Sequence, residues 1–336
     1  MPAGLPVAAF RIVHAKWAIG LCFCAVCYSL QAQASTPEQW LMEMSANASR
    51  LSYSGSLVYA EGRRMRSMHM YHAVKNGVQR ERLVHLSGEP REVVRRGDTV
   101  LCIDKANGEV ALKSANSAAM SGDSAFSSSF AARFAALSEP YTVSFAGEGR
   151  VAGRPVTLID LLPRDEYRHG FRLALDSESK LLLRSLMVDR SGAVLERFEY
   201  TQIDIGADIA DADLEPQLQV PDKRVGASER GDFAAAAGSG MSWRVGWVPP
   251  AFVRATQFEN GAAVDALMFS DGLSAFSVFV DQQSTISQHS EQRGATMAHT
   301  VVQEDAAGRF SVTVVGEIPL MAARKIAASV SRKVPR

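Results

Sequence analysis

The sequence predicts an α+β protein, in which a large curved antiparallel sheet is followed by a smaller β-rich domain. Strand-like runs between Tyr53 and Ile103 are joined by links so short that they can connect only antiparallel neighbours. Residues 36–51 instead have helical periodicity. The patterning stops between Asp211 and Ser242, in a stretch rich in proline, glycine and alanine, which indicates a connection between two domains.

The first 34 residues have the three parts of a secretory signal peptide. Two basic residues, Arg11 and Lys16, precede an apolar run from Trp17 to Leu30, and Ala32-Gln33-Ala34 supplies small residues for a cleavage site. A membrane anchor is the alternative, but this run is shorter than the ~20 residues that span a bilayer. We therefore expect cleavage after Ala34 and export.

Composition excludes some classes of function. Without residues 1–34 the chain keeps 34 basic and 36 acidic side chains, so it has no positive excess for binding nucleic acid. Three cysteines leave with the signal peptide, and we expect the remaining one, Cys102, to be a buried and inert thiol in an apolar strand. No internal disulfide is expected.

The mature chain opens with a predicted helix. Thr36 can cap it, Pro37 suits the first helical position, and Gln39 completes a capping box. One apolar face follows at helical spacing, and it should pack on the sheet. This face consists of Trp40, Met44, Ala48 and Leu51.

Strands with turn signals between them follow the helix. Asn76-Gly77 is the strongest of these signals, because this dipeptide is typical of a two-residue hairpin turn. Gly147 to Arg154 is glycine-rich, but it lacks the order of a phosphate-binding loop and is predicted to be a turn. Later runs should continue the same sheet: Val156–Leu162, Tyr167–Asp176, Lys180–Val188 and Val194–Ile205. A sheet of this size curls and needs apolar cover on its concave face.

Two interpretations fit the segment before Gly147. Residues 113–129 are rich in serine and alanine and have no period, which is typical of a loop. A helical face of Phe126, Phe130, Phe134 and Leu137 follows. It is either a core helix under the sheet or a lid over an apolar cavity. In the second case acyl chains could be enclosed with Leu57, Tyr59, Met68 and Met70, which lie on successive strands.

We find no catalytic constellation, metal site or cofactor motif, and predict that the chain is not an enzyme. His69 and His72 point to opposite faces of a strand, so they cannot hold one metal ion together. Asp165 and Glu166 are adjacent carboxylates before a strand, where a solvated turn is expected. No nucleophile motif has a partner in the sequence.

Arginines cluster along the first strands. A solvated sheet edge is the usual meaning of such a cluster. The alternative is a basic rim that binds an anionic amphiphile or an acidic peptide, for which Arg80, Arg82 and Arg95 are the candidates.

The last section is predicted to be a small β-rich domain. Val264–Phe269 and Ala275–Val280 flank a hairpin at Ser270 to Leu273, and Ala295–Val302 and Phe310–Ile318 add two strands. A helix should begin after Pro319 and present one apolar side, formed by Leu320, Ala323, Ile326, Ala327 and Val330.

Motifs along nearly all of the mature chain resemble the MucB/RseB family, in the same order. The linker and the loop near Asp281–Glu291 do not match its pattern. The large-domain motifs are Tyr53-Ser-Gly55, Glu81-Arg-Leu-Val84, Pro90-Arg-Glu-Val93, Arg150-Val-Ala-Gly-Arg154, Pro163-x-Asp165-x-x-Arg168-x-Gly170-x-x-Leu173-x-Leu175-Asp176 and Gly192-x-x-Leu195-Glu196-x-Phe198. The small-domain motifs are Ser270-Asp-Gly-Leu273, Ser277-Val-Phe279, Arg293-Gly-Ala295 and Val312-Thr-Val-Val-Gly-Glu-Ile-Pro319.

The resemblance implies a periplasmic regulator of envelope-stress signalling. Such proteins bind the periplasmic domain of a membrane anti-sigma factor and shield it from proteolysis, so the sigma factor stays sequestered. The large domain is similar to LolA/LolB carriers, a half-barrel covered by helices, which implies sensing of lipid or a lipopolysaccharide fragment. A lipid or lipoprotein carrier is the alternative function, and the sequence leaves a homo-oligomer open. The expected division is 1–34 signal peptide, 35–213 large domain, 214–242 linker and 243–336 small domain.

Overall fold

The computed structural model describes residues 35–97, 99–104, 109–114, 140–218, 243–259, 264–282 and 287–333. These residues are mostly antiparallel sheet with few helices, arranged as a large sheet, a smaller sheet and a two-stranded ribbon. The α+β prediction is confirmed at this level. Among the described residues, every helix is too short or too polar to cross a membrane.

The first helix, α1 (Pro37–Ala48), begins as predicted. Thr36 Oγ1 accepts from Gln39 N at 3.3 Å, and Gln39 Oε1 accepts from Thr36 N at 3.0 Å, so the capping box is complete. The buried face differs slightly from the prediction, since Leu41 is buried and Trp40 is half-buried. Trp40 lies under Lys180, whose Nζ is 3.7 Å from the ring centroid.

The large sheet has 11 strands, each antiparallel to its neighbours. Their order is β6-β5-β4-β3-β2-β1-β11-β10-β9-β8-β7, so the first and last strands pair at the centre. Each run predicted to continue the sheet contributes a strand to it, although two of these strands begin later than predicted, at Gly170 and at Leu182. The strands are β1 (Tyr53–Glu61), β2 (Arg64–Lys75), β3 (Val78–His85), β4 (Arg91–Arg96), β5 (Thr99–Asp104), β6 (Glu109–Ser114), β7 (Tyr141–Val151), β8 (Arg154–Pro163), β9 (Gly170–Asp176), β10 (Leu182–Val188) and β11 (Val194–Ile205).

Turn chemistry sets the register of the hairpins. Asn76 and Gly77 have φ of 53° and 76°, as a type I′ turn requires, and they join β2 to β3. The predicted turn from Gly147 to Arg154 was too wide, because β7 continues to Val151. The reversal itself is made by Ala152 and Gly153, whose φ angles are 48° and 78°.

The small sheet has six strands in the order β13-β14-β15-β18-β17-β16, and β12 pairs with β19. The predicted hairpin between β14 and β15 and the helix after Pro319 are present. The helix ends at Ala328, so Val330, predicted to lie on its apolar side, belongs to a strand instead. Four strands had not been predicted: β12, β13, β16 and β19. The elements are β12 (Trp243–Val245), β13 (Val253–Glu259), β14 (Val264–Ser270), β15 (Ala275–Asp281), β16 (His289–Arg293), β17 (Thr296–Asp305), β18 (Gly308–Gly316), α2 (Leu320–Ala328) and β19 (Val330–Arg332).

Each sheet has its own main hydrophobic core. The core of the large sheet is covered in part by Leu41 and Met44 of α1. The core of the small sheet packs against Ile326 and its neighbours on α2. Leu273 and Ala295 come from turns of the small sheet but belong to the core of the large sheet. The two sheets therefore share buried apolar surface.

Candidate binding surfaces

The four residues proposed to line a lipid site on the strands lie on one face of the sheet. Leu57 is paired directly with Met68, and Tyr59 and Met70 follow on the same face of β1 and β2. Leu57, Met68 and Met70 are at most 5% exposed, because they pack in the core with α1. A lipid chain would have to displace these core contacts. The other predicted lipid residues, Phe126, Phe130 and Phe134, lie outside the described residues.

Tyr59 links this face to the small sheet. Its hydroxyl donates to Glu196 Oε2 at 2.9 Å, and the other carboxylate oxygen of Glu196 accepts from Ala295 N at 3.3 Å. Burial raises the pKa of the Glu196 carboxyl above its ordinary value, and burial and Glu196 together raise the pKa of Tyr59. A largely buried carboxyl thus joins β1, β11 and the turn before β17.

The register separates Arg95 from the other two predicted anion-binding arginines. On the β3–β4 pair Arg82 faces Val94, whereas Glu81 faces Arg95. Because side chains alternate along a strand, Arg95 lies on the opposite face of the sheet from Arg80 and Arg82. Its guanidinium is 3.8 Å from Glu81. Any single anionic partner on one face therefore meets Arg80 and Arg82 without Arg95.

Residues 207–217, here called the acidic strap, cross the outer side of β2, β3 and β4. Asp211 accepts from Lys75 at 2.7 Å and from Arg80 at 3.2 Å. Glu215 accepts from Arg80 at 2.6 Å and from Arg96. Arg82 donates to Asp213 O at 3.3 Å and to Glu92 Oε1 at 2.8 Å. The four cations Lys75, Arg80, Arg82 and Arg96, here called the basic face, are therefore engaged by this chain's own carboxylates and backbone.

Apolar side chains anchor the acidic strap. Leu214 is fully buried and Ile209 is 5% exposed, and both pack against Ala73 of β2. Burial of a leucine side chain contributes about 1.5–3 kcal/mol, whereas an exposed ion pair contributes about 0–1 kcal/mol. The apolar anchors hold the strap more firmly than its charges do.

A buried arginine, Arg168, joins the two sheets. It is 0% exposed and donates to Asp271 Oδ2 at 2.5 Å, to Pro250 O at 2.6 Å and to both oxygens of Asp165. Asp271 is itself held by Leu273 N and Ser274 N. Burial lowers the pKa of the Arg168 guanidinium, but its hydrogen bonds to Asp165 and the charge of Asp271 raise it above the ordinary value.

The environment of Asp165 corrects one prediction. A solvated turn was expected at Asp165 and Glu166, yet Asp165 binds Arg168 through both carboxylate oxygens. Sequence reasoning also missed Asp271, the second acidic partner of Arg168, because it lies 103 residues after Arg168 in the chain. The only available signal was that Asp165, Arg168 and Asp271 all occur within the family-like motifs.

His169, beside Arg168, is 4% exposed. Burial lowers its pKa to about 4, against a smaller opposing effect of Asp189. The imidazole is therefore neutral in the folded chain near pH 7. The burial of His169 is a finding of the structure.

His69 and His72 lie on opposite faces of β2, as the alternation along a strand predicted. His69 lies between Ser54 and Ser56 hydroxyls, both 3.0 Å away, while His72 bonds Glu81 at 2.9 Å on the other face of β2. Within the described ranges no three metal-ligating side chains are grouped to hold an ion. Ion pairs and hydrogen bonds account for the charged clusters described above.

Comparison with known proteins gives matches along both sheets. The model of the MucB/RseB N-terminal domain matches residues 36–218, and that of the MucB/RseB C-terminal domain matches residues 238–331. The sigma factor AlgU regulatory protein MucB of Pseudomonas aeruginosa is 33% identical over 89% of this chain and 92% of its own. The sigma-E factor regulatory protein RseB of Escherichia coli K12 is 26% identical over 86% of this chain and 89% of its own.

A solved structure matches the architecture as well. MucB in the complex structure of Pseudomonas aeruginosa MucA/MucB superposes with a TM-score of 0.72 and 28% identity. The match covers 89% of this chain and 99% of that one. The likeness therefore includes both sheets.

Proposed function

The chain belongs to the MucB/RseB family, and from this premise we propose that it regulates an envelope-stress sigma factor. It binds the periplasmic region of a transmembrane anti-sigma factor and protects that region from regulated proteolysis. One observation carries the proposal: both family domains match in order, over residues 36–218 and 238–331. The relatives carry names of sigma factor regulatory proteins, and one relative is known in complex with MucA.

The proposed setting is the periplasm, with residues 1–34 as a cleaved signal peptide. The proposed division is a large domain over 35–213, a linker over 214–242 and a small domain over 243–336. The large domain is proposed to be a LolA/LolB-like half-barrel. The pairing of β1 with β11 at the centre of one 11-stranded sheet supports a single large domain.

A periplasmic carrier of lipid or lipoprotein is the alternative function. Carriers of the LolA/LolB kind need only the large domain. Here the small sheet contributes Leu273 and Ala295 to the core of the large sheet, and Asp271 to the buried partners of Arg168. Because residues of the small sheet form part of the core of the large sheet, the structure favours a regulator that needs both domains.

A capture experiment distinguishes these functions. The mature chain, tagged and immobilised, is exposed to a detergent extract of its own cell envelope, and bound proteins are identified by mass spectrometry. We expect one membrane anti-sigma factor to dominate, and excess untagged chain to compete it away. A mixture of many lipidated proteins with no anti-sigma factor would support the carrier instead.

We further propose that lipid or a lipopolysaccharide fragment triggers release of the partner. The proposed site combines Leu57, Tyr59, Met68 and Met70 with Phe126, Phe130 and Phe134. Burial contributes about 0.8 kcal/mol for each methylene group, so a partly enclosed acyl chain supplies several kcal/mol. That amount shifts an equilibrium between two arrangements when the lipid strongly prefers one of them.

Replacing Phe130 and Phe134 by alanine should weaken lipid binding at least tenfold while the chain stays folded. The matched control is Phe145→Ala, which removes an exposed phenylalanine that contacts Trp40. Binding is measured by titration with a fluorescent acyl probe, and folding by thermal melting. Equal lipid affinity of the folded double variant and the control would mean that these two phenylalanines are not part of a lipid site.

A further inference from the structure

We propose that the basic face of β2–β4 is a docking surface for an acidic peptide, and that the acidic strap is a built-in occupant which a partner displaces. This goes beyond the function proposed above, which assigns no docking position, and it does not depend on the identity of the anti-sigma factor. The surface is defined by Lys75, Arg80, Arg82 and Arg96, and the occupant by residues 207–217.

The contacts of the strap show what the basic face recognises. Two carboxylates four residues apart, Asp211 and Glu215, both bind the guanidinium of Arg80. Lys75 adds a second cation for Asp211, and Arg96 adds one for Glu215. An acidic segment with the same spacing can make the same charge-assisted hydrogen bonds.

Two apolar anchors set the pattern further. Ile209 and Leu214 are buried against Ala73, with Tyr71 at the edge of the cluster. The sequence of residues 209–215 is Ile-Ala-Asp-Ala-Asp-Leu-Glu. Ile209 therefore precedes the acidic residues, and Leu214 lies directly before Glu215. The expected ligand is therefore a peptide that alternates apolar anchors with carboxylates, and a uniformly acidic chain is a poorer match.

Main-chain contacts favour a peptide over a lipid headgroup. Arg82 donates to the backbone oxygen of Asp213 at 3.3 Å, and Gln217 N donates to Glu92 Oε2 at 2.9 Å. The second of these contacts needs a backbone N–H donor beside a buried carboxylate. A peptide supplies that donor and a phosphate does not. Burial raises the pKa of Glu92, but its hydrogen bonds with Arg82 and Gln217 N lower it overall.

The carboxylates of the strap can be replaced on the arginines by the carboxylates of a partner. The side chains of Asp211 and Glu215 are 70% and 42% exposed, so an incoming carboxylate can reach the arginines without unfolding the sheet. Arg80 and Arg82 each keep a buried Nε–H with no hydrogen-bond partner within the described part of the chain. The strap leaves donors on the basic face unused, and a partner with better geometry could engage them.

The strap also connects the proposed action to the rest of the molecule. It follows β11 directly and runs into residues 219–242, which lead to the small sheet. When a partner displaces the strap, the covalent connection between the sheets lengthens by up to 11 residues. Binding at the basic face would therefore change the tether of the small domain, as well as occupy a surface.

The test loosens the strap and offers a free copy of it. Leu214→Ala removes the deepest anchor but keeps every charge of the strap. A fluorescent peptide with the sequence of residues 207–217 is titrated into the full mature chain, and anisotropy reports binding. We expect at least tenfold tighter binding to Leu214→Ala than to the parent chain, and binding that weakens with added salt.

Charge variants test whether the gain in peptide affinity of Leu214→Ala arises at the basic face. Adding Arg80→Gln and Arg96→Gln to Leu214→Ala should abolish it. The matched control adds Arg172→Gln and Arg197→Gln, two half-exposed arginines elsewhere on the large sheet, and should keep it. Equal peptide affinity of the parent and Leu214→Ala, or a gain that survives loss of Arg80 and Arg96, would overturn the proposal.

A second strap variant and a vesicle titration complete the test. If Leu214→Ala does not fold, Asp211→Asn with Glu215→Gln loosens the strap through its charges and should give a smaller gain in peptide affinity, and no gain there counts against the proposal. Vesicles containing phosphatidylglycerol are titrated in parallel. A gain for vesicles without a gain for the peptide would make the face a lipid surface and overturn the peptide assignment.

Discussion

Replacing Arg168 by methionine is expected to lower the free energy of unfolding by about 3–5 kcal/mol, because it leaves a buried carboxylate without its cation. Arg168 is fully buried and binds Asp271, which is also fully buried at its side chain. The variant would also leave the carbonyl of Pro250 without its donor. Methionine preserves most of the apolar volume, so the loss reports on charge more than on packing.

Urea unfolding at pH 7 measures this loss. The matched control is Lys325→Met, which removes a cation that contacts Tyr167 and Trp247 at the exposed edge of the same junction, and it should cost about 1 kcal/mol or less. The double variant Arg168→Met/Asp271→Asn should lose less than Arg168→Met alone, because asparagine carries no charge and its side-chain oxygen can still accept from Leu273 N and Ser274 N. A loss below about 1 kcal/mol for Arg168→Met would contradict the assignment of a buried ion pair.

The hairpins were predictable because their signals are local. Asn76-Gly77 specifies its own turn, and alternation then places Leu57, Met68 and Met70 on one face. The pairing of β1 with β11 was not predictable, because no local signal fixes which strands meet across some 140 residues. Four short or polar strands of the small domain were missed, and β16 has every residue exposed and no apolar alternation to detect.

The positions of the charged residues were predictable only in part. The face on which two residues of one strand lie follows from their spacing in the sequence, whereas the register between two strands does not. Arg80 and Arg82 share a face because they are two residues apart. The position of Arg95 depends on the register of β4 against β3, which the sequence does not state. Likewise, the loss of patterning after Asp211 gave no sign that Leu214 is buried or that Asp211 pairs with Lys75, because both contacts are tertiary.

The stability of the folded chain is expected to fall by about 3 kcal/mol between pH 7 and pH 4 through His169 alone. Its pKa is about 4 in the folded chain, where burial excludes the charged form, and about 6.5 when it is unfolded. Between these values the unfolded chain binds more protons, so lowering the pH favours unfolding. The raised pKa of Glu196 acts in the opposite direction, because the folded chain takes up that proton first.

A His169→Gln variant separates the two effects, since Glu196 is present in both chains and cancels in the difference. Urea unfolding at several pH values should give the parent a loss between pH 7 and pH 4 that exceeds the loss of the variant by about 3 kcal/mol, or about 1.4 kcal/mol for each pH unit inside the window. His289→Gln is the matched control, because it makes the same substitution at an exposed histidine. Parallel pH profiles for the parent and His169→Gln would mean that water reaches His169 in the folded chain.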